Sequence, residues 1–147
     1  VALEKMREAE TRNVLVIGDL HEPFCLDGYL DFCIDQYYTY NCTEVVFIGD
    51  VIDNHYSSYH EASADGMGGL DELELAIKKI GRWRDAFPMA TVIIGIHDRI
   101  IMRKAQTSSI PSKWIKSFST FNPCCSNLDN ARWWDKSTAC VSWVNAF

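Results

Sequence analysis

Three short apolar segments in this chain run directly into a glycine that is followed within two residues by a carboxylate or an imidazole. Val14-Leu15-Val16-Ile17 leads into Gly18-Asp19-Leu20-His21, and Val45-Val46-Phe47-Ile48 leads into Gly49-Asp50-Val51-Ile52-Asp53. Residues 90–94 lead into Gly95-Ile96-His97-Asp98. Such segments predict strands, and Val45 to Ile48, β-branched and aromatic without polar alternation, predicts one covered on both faces. Glycine lets the backbone turn sharply where each strand ends. In an open α/β sheet, the carboxyl edge reached by such turns is where ligands bind.

The intervening sequence has the period of helices. Apolar residues at Leu26, Tyr29, Leu30, Cys33, Ile34, Tyr37 and Tyr38 predict a helix within 26–40. Leu73, Ile77, Ile80 and Trp83 predict another over 70–87, which Pro88 ends. The result is an α/β fold of βαβαβ order, with parallel strands and right-handed crossovers. Residues 55–69 are polar and glycine-rich and read as a loop, with a helical turn near 54–59. Shorter helices are expected over 3–10, 100–105 and 111–118. Residues 1–120 therefore read as one α/β domain and 121–147 as an atypical tail without periodicity.

Bulk properties narrow the function. A chain of 147 residues suits one domain with a real core. No apolar run approaches the ~20 residues that span a bilayer, and no signal-peptide pattern opens the chain, so a cytoplasmic protein with no membrane partner is expected. A net charge of −6 argues against a broad nucleic-acid footprint, although a cation-loaded cleft can still meet a phosphate. Six cysteines without a CxxC pair or secretory context read as reduced thiols.

Asp19, His21, Asp50, Asp53, His97 and Asp98 should thus share one sheet edge. Any one Gly-Asp after a strand is more often a turn or a helix cap. Three in succession, two with histidine, argue for a site. Carboxylate and imidazole together suit manganese, iron or zinc.

Gly18-Asp19-Leu20-His21, Gly49-Asp50-Val51-Ile52-Asp53 and Gly95-Ile96-His97-Asp98 resemble the first three motifs of the calcineurin-like metallophosphoesterases, GDxH, GDxxD and GNH(D/E). The resemblance spans roughly residues 13–105. It implies one half of that family's two-sheet sandwich and hydrolysis of phosphoesters, with nucleotides, nucleic-acid ends and phosphoproteins all open as substrates. It further implies that Asp19 and His21 bind a first metal, that Asp50 bridges to a second, and that His97 faces the substrate phosphate as proton donor or stabiliser. By the same resemblance Asp53 orients His97.

Two departures stand beside it. Ile96 occupies the place of the family's metal-binding asparagine, and no histidine follows His97. One firmly bound divalent ion is expected on Asp19, His21 and Asp50, while the second keeps only Asp50. The competing expectation is accordingly a truncated, catalytically impaired relative acting as a binding module, with apolar surface exposed for self-association. Arg99, with Arg103 and Lys104 close behind, is the cation best placed to meet a phosphate. His55 and His60 read as solvated loop residues, Trp83 as core, and Lys78, Lys79, Arg82 and Arg84 as a solvated helix face.

Overall fold

The computed structural model describes residues 12–115 and 140–142. It is a mixed α/β structure with a three-stranded parallel sheet, three helices and one added antiparallel strand. In chain order these are β1 (Val14–Ile17), α1 (Tyr29–Thr39), β2 (Glu44–Phe47), α2 (Gly69–Ala86), β3 (Thr91–Ile93), α3 (Ile100–Thr107) and β4 (Cys140–Ser142). The expected helix over 3–10 lies outside the described residues. Where a helix was expected over 111–118, the structure has one 3-10 turn, Ser112–Trp114, after Pro111, and residues 116–139 are not described.

Strand order follows chain order. β1 pairs with β2 in parallel, Leu15 opposite Val45 and Ile17 opposite Phe47, and β2 pairs with β3, Phe47 opposite Val92. β4 joins the far edge antiparallel, so part of the stretch read as a tail contributes to the sheet.

Residues in register on one face, Ile17, Val45, Phe47 and Val92, are buried with Cys33 of α1 and with Ala76, Ile80 and Trp83 of α2. Phe47 meets Trp83 and Phe87 edge-on, with ring centroids 5.9 and 6.4 Å apart. Both crossover helices therefore lie on the same face of the sheet, as two crossovers of one hand in consecutive order require.

The opposite face differs from expectation. Val14 and Val16 of β1 and Ile48 just after β2 are exposed, and Glu44 and Val46 of β2 are half-buried, so among the described residues this face is less covered than the other. The continuous apolar run of Val45–Ile48 does not distinguish its two sides, whereas the helices pack on only one.

Parallel pairing continues past the strands into the loops that follow. The His21 amide donates to the Asp50 carbonyl and the Glu22 amide to the Val51 carbonyl, while the Asp53 amide donates back to the Glu22 carbonyl, all at 2.9 Å. The two loops thus run side by side and carry their polar residues to one place.

Candidate metal centre

The backbone turns sharply at the residues that matter. Asp19, His21 and Asp50 all have positive φ, at 53°, 48° and 52°. For a residue with a Cβ this conformation costs on the order of 1–2 kcal/mol. Three such residues at one sheet edge mark a place where the fold holds side chains against local preference.

Close backbone contact explains two of the glycines. Gly49 sits at φ 107°, and a Cβ there would lie 2.6 Å from the Cα of Gly95. A Cβ on Gly95 would collide with the amide nitrogen and the carboxylate of Asp50. Only glycine at both positions lets the loops after β2 and β3 touch. That contact brings His97 to Asp50, and the His97 amide donates to Asp50 Oδ1 at 2.8 Å.

Asp53 grips both imidazoles, by different atoms. His21 Nδ1 lies 2.7 Å from Asp53 Oδ1, and His97 Nδ1 lies 2.7 Å from the Asp53 carbonyl oxygen. A carbonyl and an ionised carboxylate only accept, so each Nδ1 carries the proton and each Nε2 keeps its lone pair. The resemblance implied that Asp53 orients His97. In the structure its carboxylate is bonded to His21, and Oδ1 stands 3.6 Å from His97 Nδ1.

Two overlapping groups have one donor atom per residue within 4.8 Å of one another: Asp19, His21 and Asp50, and His21, Asp53 and His97. Such groups can hold a metal ion. The structure therefore brings together all five of the residues Asp19, His21, Asp50, Asp53 and His97. Arg99 does not join them; it is exposed in the turn after His97, with no ion pair among the described residues. Ile96 is likewise turned outward, 67% exposed, and offers no donor.

Three buried carboxylates surround this cluster, and each ties down one of its loops. Asp98 accepts from the Ile52 amide at 3.0 Å and from the Gly95 amide at 2.7 Å, joining the loops after β2 and β3. Burial pushes its pKa up, an effect that the two amide bonds oppose and the charge of Asp50 reinforces.

Glu72 of α2 accepts from the His55 and Tyr56 amides at 2.6 and 2.9 Å. Glu22 accepts from the indole nitrogen of Trp83 at 2.9 Å, which fastens the His21 loop to α2. Its second oxygen is buried without a hydrogen bond, 3.9 Å from the Lys79 ammonium. Lys79 also donates to the Pro23 carbonyl at 2.5 Å, so it is not simply a member of a solvated basic face.

Neither Glu72 nor Glu22 was among the site residues expected from the sequence. For Glu72 a signal existed: it shares the buried stripe of its helix with Ala76, Ile80 and Trp83, and a carboxylate on an apolar stripe needs partners. His55, read as a solvated loop residue, is half-exposed with Nδ1 3.9 Å from Asp53 Oδ2. His60 is exposed.

Cys25, Cys33 and Cys42 are free thiols. Burial, with the Glu22 charge second, pushes Cys25 up to about 11, which disfavours the reactive thiolate. Among the described residues no helix is long and apolar enough to cross a membrane. Comparison with family models, with curated proteins and with solved structures finds no match for this chain.

Proposed function

We propose that this chain is a metal-dependent phosphoester hydrolase of the calcineurin-like metallophosphoesterase type. The observation that carries the reading is the convergence of Asp19, His21, Asp50, Asp53 and His97 at the carboxyl ends of consecutive parallel strands. The donor set suits the ion: two carboxylates and one imidazole whose Nε2 is left free by the Asp53 bond. Asp19, His21 and Asp50 are the residues that would hold it. A divalent ion there supplies Lewis acidity toward a phosphoryl oxygen and lowers the pKa of a water.

The chain's own groups do the rest. Asp53 fixes the ring of His21 through its carboxylate and that of His97 through its carbonyl, so neither imidazole has to be ordered when substrate arrives. His97 keeps Nδ1–H on the carbonyl, so Nε2 is the atom that takes up a proton from water and passes it to the leaving oxygen. Arg99, exposed beside it, offers a guanidinium to the phosphate. Nucleotides and nucleic-acid ends are the substrates proposed first, the acidic surface being offset locally by the bound ion.

Turnover of an aryl phosphate in the presence of Mn2+, abolished by Asp50→Asn, is the expected result. Absence of turnover with Mn2+, Zn2+ and Fe2+ alike would overturn the reading. Ile96 favours a second reading: at the place where the family carries a ligand, an exposed isoleucine cannot bind a cation, which supports a catalytically impaired binding module. On that reading the chain binds one ion and does not turn over.

A further inference from the structure

The two donor groups of the centre compete for one residue. His21 belongs to both, yet its Nδ1 proton is committed to Asp53 at 2.7 Å, so it has a single lone pair, on Nε2. Once that lone pair serves Asp19 and Asp50, the Asp53 side has lost a ligand. The carboxylate of Asp53 is itself only half used: Oδ1 takes the His21 bond, whereas Oδ2 faces the imidazole of His55 at 3.9 Å.

That separation is informative. It is too long for a hydrogen bond. It is close to the spacing of two donors on one cation, since bonds of about 2.0–2.2 Å place neighbouring ligand atoms roughly 3–4 Å apart. An anion would be repelled by Asp53 at this spot, and a cation would be attracted by both groups.

His55 is also held in place more firmly than a solvated loop histidine requires. Its amide and the next one both donate to the buried carboxylate of Glu72, at 2.6 and 2.9 Å. Its ring packs edge-on against Phe24, the centroids 6.2 Å apart. Burying a carboxylate is costly unless it is hydrogen-bonded, and here its bonds are spent on the backbone of the residue that faces Asp53.

We propose that Asp53 Oδ2 and His55 Nδ1 form the foothold of a second divalent cation, with Glu72 as the positioning residue. The inference rests on the metal centre of the preceding section and adds a site to it. With two protein donors the second ion is held weakly, and a phosphate oxygen completes its coordination, as is usual for ions bound through few side chains.

The test is Mn2+ binding to the full chain, counted by electron paramagnetic resonance with and without inorganic phosphate, which needs no turnover. The wild type should bind one ion tightly and a second more weakly, the second strengthened by phosphate. His55→Ala should lose the second ion and keep the first with unchanged affinity, while His60→Ala, an exposed neighbour in the same loop, should keep both. Glu72→Gln retains one acceptor for two amides and should weaken the second ion roughly 10–100-fold without affecting the first.

A second ion that persists in His55→Ala overturns the proposal. A wild type that saturates at one ion with phosphate present also overturns it, while leaving the hydrolase reading standing. A wild type that binds no ion overturns both.

Discussion

The two sides of the candidate metal centre are built in opposite ways. On one side the Asp19 side chain is 80% exposed, and its nearest partner, His21 Nε2, lies 3.8 Å away, beyond hydrogen-bonding distance. On the other side Asp53 is only 16% exposed and bonded to His21, with His97 and His55 within 4 Å. The open side keeps its lone pairs unspent, whereas the enclosed side spends its own on holding rings still. A site that must both capture an ion and arrive pre-organised needs one side of each kind.

Removing the enclosed side's backbone contact should have the largest effect. Gly95→Ala pushes a methyl into the Asp50 amide nitrogen and carboxylate, and the amide nitrogen belongs to main chain that cannot rotate away. A loss of about 3 kcal/mol or more is expected, read as a lower urea midpoint, at the upper end of what overpacking costs. A variant with wild-type stability would mean that the loops separate easily, and the contrast between the two sides would weaken.

Asp53→Asn keeps the volume but replaces the carboxylate bonded to His21 Nδ1 with a neutral amide, while the backbone bond to His97 stays in place. Mn2+ affinity should fall roughly 10–100-fold, as when other outer partners of metal-bound histidines are removed. Titration of Mn2+ into wild type and variant measures this directly. Unchanged affinity would show that His21 is oriented by something other than Asp53.

Asp98→Asn tests the link between loops, and it carries a pH signature. One of the two amides, Ile52 or Gly95, is left facing an NH2 group, at a cost of about 1–3 kcal/mol. Because burial raises the folded-state pKa of Asp98 above its unfolded value near ~4, the folded chain holds this proton more tightly. Stability from this group is therefore fully present below the unfolded value and is lost as pH rises through the folded one. The variant lacks that loss, so the gap between wild type and Asp98→Asn should narrow as pH rises. Urea unfolding at a series of pH values would show it; a gap that widens would mean the amide bonds outweigh burial.

The parts of this centre legible in the sequence are those that obey a local rule. Strand, glycine and carboxylate recur with fixed spacing, so the positions of Asp19, Asp50 and His97 at strand ends needed no long-range information. The clamps obey no such rule. Glu22 reaches Trp83 across 61 residues and Asp98 reaches Ile52 across 46, pairings that only the folded sheet creates. The exposure of Val14, Val16 and Ile48 was missed for a related reason: an apolar run shows that a strand can be covered on both sides, while the hand of the crossovers determines which side the crossover helices take. His55 was misjudged because loop polarity describes solvent exposure on average and is silent about a buried glutamate holding the loop from beneath.

The smallest effect predicted falls on the open side and is the sharpest check of the contrast. Asp19→Asn removes a charge that accepts no hydrogen bond among the described residues, at a position already in the left-handed region where asparagine is well tolerated. Stability should shift by no more than about 0.5 kcal/mol, since exposed substitutions without structural partners seldom do more. Mn2+ binding should nevertheless weaken, because one of three donors has become a neutral amide oxygen. Stability and metal affinity thus separate at Asp19. If Asp19→Asn proved strongly destabilising, the carboxylate would be holding the loop rather than waiting for an ion, and the open side would be structural after all.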